Sequence, residues 1–213
     1  MARSSASSAR RSGDTVVDES FVPTPEQIAE YTDHTQAHIR DVQRQIRNNV
    51  IPQFEARAER HDASKLYEPE LSGFIQLFEV QKTHKAAFGT AAYSEALAKY
   101  KPVIAEHWKN NDHHPEHTET GGHVRGMNLF SLMEWMVDGW CACQAREDEC
   151  DFAVSLWSSK ERFQIESDTF IILWNTALAL GYVTKGDDGH EYMDAHVRCM
   201  ERGMCKREDW LDE

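Results

Sequence analysis

The 213-residue sequence predicts an all-α fold, and three observations carry the prediction. Apolar residues recur at three- and four-residue spacing in one segment after another. Those segments are punctuated by helix caps, by prolines at helix starts and by a glycine stop. No run of strict apolar-polar alternation suggests strands, and no internal repeat is visible. At 40% hydrophobic and 28% charged, the chain has the composition of a globular protein and the length for one domain with a full core.

The first twenty or so residues are serine, alanine and arginine with almost nothing to bury, so 1–21 reads as a disordered basic tail and 22–213 as a single helical domain. Order is expected to begin at "TPEQ". Thr24 suits an N-cap, Pro25 the first helical position, and Gln27 completes a capping box. The helix that follows runs to about Asn49, with Ile28, Tyr31, Ile39, Val42 and Ile46 as its apolar stripe and His34 and His38 on one face. A short helix at 52–60 leads into "HDASK", and Pro69 starts another with Leu71, Phe74, Ile75, Leu77, Phe78 and Val80. Residues 91–109 read as a further helix that Pro102 bends or divides. "NNDHHPEHTETGGH" is rich in turn formers and reads as a loop. "MNLFSLMEWMVDGWCACQA" returns to helical periodicity. A strong helix is expected over 160–180, ended by Gly181, and a last one over 191–203, so the C-terminal helices occupy 150–213.

The net charge of -13 excludes one class of partner. Arg3, Arg10 and Arg11 stand in a first dozen residues without an acid, so the body is more acidic still. Such a body disfavours extended nucleic acid, which needs a basic face, but not a small phosphorylated molecule held by a local metal ion. "FIILWNTALALGY" is interrupted by Asn175 and Thr176 and falls short of the roughly 20 apolar residues of a bilayer span, so no membrane segment is expected. The N-terminus lacks the apolar centre of a signal peptide, which points to the cytoplasm, or to a host cytoplasm if the chain is phage-encoded. Five cysteines without a CxxC pair read as reduced, packed thiols. A homo-oligomer is left open.

The informative residues are polar ones in expensive places. Among eleven histidines, His38 lies on the first helix, His61 and Asp62 end the second, His107 closes a later one, and His113 and His114 follow in the loop. Asp138 then sits among Leu132, Trp135, Met136, Val137 and Trp140, where a carboxylate is costly unless paired or ligated. Glu134 is one turn earlier on the same face. Imidazole and carboxylate donors together suit divalent manganese, iron, cobalt, magnesium or zinc, and donors spread over several helices suit a site inside a bundle. Singly, each has a plain explanation as a cap, a helix end or a solvated side chain; together they point to a metal site.

A helix histidine, an adjacent His-Asp pair, later histidines and a final helix aspartate resemble the HD-domain superfamily of metal-dependent phosphohydrolases. The matching stretches are "HIRDV", "HDASK", "HWKNNDHHPEH" and "EWMVDGW", within about residues 31–140. The last two also resemble a group of phage and bacterial proteins. The resemblance implies an HD-like helical bundle with a core metal site. It also implies a four-ligand set of His38, His61, Asp62 and Asp138, with His107 and either His113 or His114 as ligands of a second ion. His107 and the double histidine stand closer together than in many two-metal members. Lys65 would face the substrate phosphate, as in the His-Asp-x-x-Lys form.

The expected function is therefore hydrolysis of a small phosphorylated substrate, a nucleotide above all, by water activated on one or two divalent ions. Asp62 and Lys65 serve the reaction, with Glu134 beside them steering hydrogen bonds to the ligands. Two rival readings keep the scaffold: a di-iron oxygenase of HD type, and a non-catalytic protein that binds a ligand or partner. Two motif matches are set aside. "HHPEH" fits a metalloprotease helix only on paper, because Pro115 disfavours helical geometry at His114. A histidine-rich nuclease finger needs a strand hairpin that the helical flanks do not provide.

Overall fold

A computed structural model describes residues 21–84, 95, 98–118, 122–145, 150–186 and 191–205. Among these residues every regular element is helical, as the periodicity predicts. All but the last residue of the expected basic tail, 1–21, lies outside the described residues, and so does much of the first half of the 91–109 helix.

Contacts divide the chain into two units, Met1–Pro52 and Gln53–Glu213, where the sequence reads one domain from residue 22. In the first unit, α1 (Pro25–Gln45) starts as expected: Gln27 N–H donates to Thr24 Oγ1 at 3.3 Å, and Thr24 N–H donates to Gln27 Oε1 at 2.9 Å. None of its residues is buried, and Ile28, Tyr31, Ile39 and Val42 are exposed. A π-turn (Ile46–Val50) follows, in which Ile51 N–H reaches back to Ile46 O. Pro52 explains the widening, because it has no N–H and its ring crowds the carbonyl one turn earlier. α2 (Ile51–Arg60) starts where the π-turn ends, one residue before the expected 52–60 helix.

In the second unit, α3 (Glu70–His84) and α4 (Lys101–Asn110) enclose a small cluster of Leu77 and Tyr100 with Phe74, Val80 and Ile104. A Cβ on Gly73 would collide with Val103, so glycine is what lets these helices approach. As expected, the 91–109 segment is divided at Pro102: residues 98–99 are helical, Tyr100 makes a turn, and α4 starts afresh at Lys101 with Pro102 in its first turn, where no N–H is needed. The predicted loop carries a 3-10 turn at Pro115–His117, and a second, Val124–Gly126, follows it.

The main core is built by α5 (Leu129–Gln144), α6 (Phe152–Arg162), α7 (Ser167–Ala179) and α8 (Glu191–Glu201). Met136, Leu156, Trp157, Phe170 and Leu173 are almost fully buried there. Trp157 stacks on His196 with centroids 4.3 Å apart and donates from Nε1 to Tyr192 O at 2.9 Å, so this tryptophan is core rather than interface.

Two expectations are corrected. The helix read over 160–180 is broken: α6 ends at Arg162 and α7 starts at Ser167. Gln164, in the left-handed region at φ 49, makes the turn without glycine or proline, which is why sequence punctuation does not show it. The far end is as predicted: Gly181 at φ 74 closes α7, with Tyr182 N–H donating to Ala177 O and Gly181 N–H to Leu178 O. The cysteines also differ from the reduced reading. Cys143 pairs with Cys150 and Cys199 with Cys205, across Cα separations of 5.2 and 5.6 Å, as the chain turns back after α5 and α8. Cys141 is free and exposed. Among the described residues no helix is long and apolar enough to cross a membrane.

Candidate metal centre

The site grows from the end of α2. After Arg60 the chain leaves the helix through His61 and Asp62, and Asp62 adopts the left-handed conformation at φ 54, one that aspartate tolerates better than most residues. A 3-10 turn (Ala63–Leu66) follows, with Lys65 N–H donating to Asp62 O at 2.9 Å. This tight turn brings the Lys65 ammonium to Asp62 Oδ2 at 2.5 Å and leaves Oδ1 facing inward.

Three imidazoles meet that oxygen. His107 Nε2 lies 3.2 Å from Asp62 Oδ1, and His113 Nε2 3.5 Å from it. His114 Nε2 lies 3.0 Å from His107 Nε2. One atom from each of Asp62, His107, His113 and His114 falls within 4.8 Å of the others. A second group, His61, His113 and Asp138, meets the same criterion and shares His113. His61 Nε2 lies 3.6 Å from Asp138 Oδ1 and 3.7 Å from Asp62 Oδ2.

Carboxylates behind the rings set their orientation. Glu70, buried at the start of α3, faces His107 Nδ1 at 2.8 Å and also accepts from Ser64 Oγ and Asn110 Nδ2. Glu134 Oε1 faces His61 Nδ1 at 2.8 Å and His113 Nδ1 at 3.2 Å, while its Oε2 accepts from Arg57 Nε at 2.6 Å. Arg57 is itself held by Asp112 and Ser131. With Nδ1–H turned towards a carboxylate, the Nε2 lone pair of His61, His107 and His113 points inward, the arrangement by which outer carboxylates orient imidazole ligands.

Two inward atoms are buried without a hydrogen bond among the described residues: Asp62 Oδ1, with His107 Nε2 standing 3.2 Å away, and His113 Nε2. Burying an unpaired acceptor is costly, and a cation between them would satisfy both. Burial, reinforced by the neighbouring His113 and His107, pushes His114 down to about 3, so it offers a lone pair with no proton to displace. Burial likewise holds His113 low. For Asp62, burial opposes ionisation, but His107 and Lys65 outweigh it and hold the carboxyl low. His61 goes the other way: the Asp138 carboxylate raises it to about 9 against desolvation, with Glu134 and Asp62 adding to the rise.

The second unit thus assembles His61, Asp62, His107, His113, His114 and Asp138, with Lys65 on the outer oxygen of Asp62. Both His113 and His114 turn inward, where the resemblance left one or the other. His38 stands on α1 of the first unit, exposed, and belongs to neither group of converging donors. Glu134 stands behind the imidazoles rather than among the inward atoms. Arg57 was missed by sequence reading. Its one signal is its place a single helical turn before His61, on the same face.

The sequence profile of DUF5662, a family of unknown function, matches residues 27–178. The chain belongs to DUF5662. The DUF5662 match takes in every residue of the centre, from Arg57 to Asp138, together with most of α1, His38 included. No curated protein and no solved structure matches the chain.

Proposed function

We propose that this DUF5662 chain is a metal-dependent phosphohydrolase acting on a small phosphorylated molecule at the His/Asp centre. The reading is supported above all by Asp62 Oδ1 and His113 Nε2, buried atoms 3.5 Å apart that no hydrogen bond satisfies among the described residues. The HD-like order of histidines and aspartates supports the reaction class.

A divalent ion held by Asp62, His107, His113 and His114 would lower the pKa of a water and polarise a phosphoryl oxygen. Asp62 supplies the anionic donor. Glu70 and Glu134 keep the imidazoles turned inward, and Arg57 pairs with Glu134 from behind. Lys65, about a third exposed and resting beside the Phe74 ring, can turn from Asp62 Oδ2 towards a phosphoryl oxygen and offset charge there. The single inward nitrogen of His113 serves one ion at a time, and a bridging role for Asp62 would have to displace Lys65 from Oδ2. That favours one tightly held ion over the two of the di-iron oxygenase reading.

The test is metal analysis of protein purified without oxygen, joined to a panel of phosphoesters and nucleotides. Turnover supported by manganese, cobalt or magnesium, and lost in Asp62→Ala with His61→Ala, is expected. Unchanged turnover in that double variant overturns the site. Two irons with oxygen consumption would establish the oxygenase instead, and tight binding of a phosphorylated ligand without product would establish the non-catalytic reading.

A further inference from the structure

Beside the metal centre, between α2 and α5, lies a cavity of about 390 Å³. This size falls in the range of small-ligand sites, roughly 300–1,000 Å³. His61 and Asp138, both of the second donor group, form part of its wall, so a molecule inside it reaches the metal ligands directly.

The other wall residues divide sharply. Phe54, Ala58, Met133, Val137 and Cys141 are apolar or nearly so. Arg57 and Glu134 also line the cavity, but their polar atoms are engaged: Arg57 by Glu134, Asp112 and Ser131, and Glu134 by Arg57 and the two imidazoles. Apart from the metal-facing pair, the cavity therefore offers no disengaged side chain for the hydrogen-bonding edge of a nucleobase. A base placed there would leave its ring nitrogens and exocyclic groups unpaired, at about 1–3 kcal/mol for each one. An apolar group would lose nothing and would gain about 25 cal/mol for each Å² removed from water.

A second cavity touches the centre through His114 and Asp138, and it is more polar, with Trp108, Trp135, Ser155 and Arg162 among its walls. It measures about 230 Å³, below the usual range for such sites, and takes only one residue from each edge of the metal centre.

We infer that the cavity between α2 and α5 binds the organic half of the substrate, and that this half is an apolar ring or short acyl chain rather than a nucleoside. The inference rests on the phosphohydrolase reading for its phosphoryl end. The substrate is then a monoester of an apolar alcohol or phenol. Its phosphoryl group lies at His61 and Asp138, and its carbon skeleton lies against Phe54, Met133 and Val137. In the reaction the water oxygen bonds to phosphorus as the ester P–O bond breaks. One water proton ends on the released alcohol and the other on inorganic phosphate.

Cys141 provides the readout, because it is the only cysteine outside the two disulfides and it lines this cavity. The full-length protein, loaded with manganese, is alkylated at Cys141 in the presence of 1-naphthyl phosphate, 1-naphthol, inorganic phosphate or adenosine monophosphate. The two naphthyl compounds are expected to slow alkylation about tenfold, and phosphate and the nucleotide to leave it unchanged. Val137→Trp, and the milder Ala58→Leu, should remove the protection while helical circular dichroism and metal content stay at wild-type values. Protection by the nucleotide with none by 1-naphthol overturns the inference, as does naphthyl protection that survives both filled-cavity variants. The phosphohydrolase reading fails separately: naphthol protection without hydrolysis of any phosphoester overturns the reaction while upholding an apolar ligand.

Discussion

Glu70 and His107 face each other at 2.8 Å, Oε2 to Nδ1, with side chains only 2% and 3% exposed. One lies at the start of α3 and the other near the end of α4, so a buried ionic contact fixes the helix pair and the direction of an inward imidazole together. The Glu70 carboxyl stays ionised because bonds from Asn110, Ser64 and His107 outweigh the burial that opposes it.

Replacing that carboxylate separates the two roles. Glu70→Gln keeps the shape but weakens the hold on His107 Nδ1, and metal affinity should fall about 10- to 100-fold. Glu70→Leu leaves His107 and Asn110 without their acceptor and should lower stability by about 1–3 kcal/mol. Isothermal titration with manganese and urea unfolding of the metal-free protein measure the two effects.

Arg57 is the counter-charge for Glu134, and both side chains are largely buried, at 11% and 14% exposed. Arg57→Leu strands a carboxylate beside two imidazoles and should destabilise the protein by about 3–5 kcal/mol. Adding Glu134→Gln removes the stranded charge, so the double variant should regain a large part of that loss. Unfolding curves for the two single variants and the double variant give the coupling directly.

Metal binding should release a proton from His61. Its folded-state pKa of about 9 makes it a cation at neutral pH, and a divalent ion held beside it on His113 and Asp62 disfavours that charge and drives the proton off. Apparent affinity should rise about tenfold per pH unit up to about 9 and then level off. In the metal-free protein the sign reverses. A histidine raised above its unfolded value of about 6.5 stabilises the fold fully below that pH, and the contribution is lost as pH climbs through 9. Titration in buffers of different ionisation enthalpy counts the proton, and His61→Gln should abolish it.

Ligation should also appear as thermal stabilisation. Manganese or cobalt at about a hundredfold above its dissociation constant adds roughly 2.7 kcal/mol to the folded state. Asp62→Asn should lose most of that shift, because it replaces the anionic donor at the point where three imidazoles meet. Melting curves with and without metal test this, and an equal shift in the variant would place the ion elsewhere.

Much of the fold was legible because its signals are local. The Thr24 capping box and the Gly181 stop each involve residues within a turn of one another, and both form as read. The break at Gln164 was not legible, because an ordinary residue there adopts a left-handed conformation that tertiary packing selects. The helix read from residue 52 starts one residue earlier, at Ile51, but the π-turn that precedes it was not legible. At the centre, the donors were visible as chemical types in an order. Arg57 was not, since a helix arginine is usually solvated and only packing against α5 and Asp112 turns it inward.

From the sequence alone came the helices, and the presence of histidines and carboxylates where a helical core would rarely keep them. Only the tertiary structure decided that Asp62 Oδ1 and His113 Nε2 would be buried facing each other and that Glu70 would stand behind the His107 ring. The reason is range. Caps and periodicity act within a few residues, whereas the direction of an imidazole depends on a carboxylate dozens of residues away, and no local pattern carries that distance.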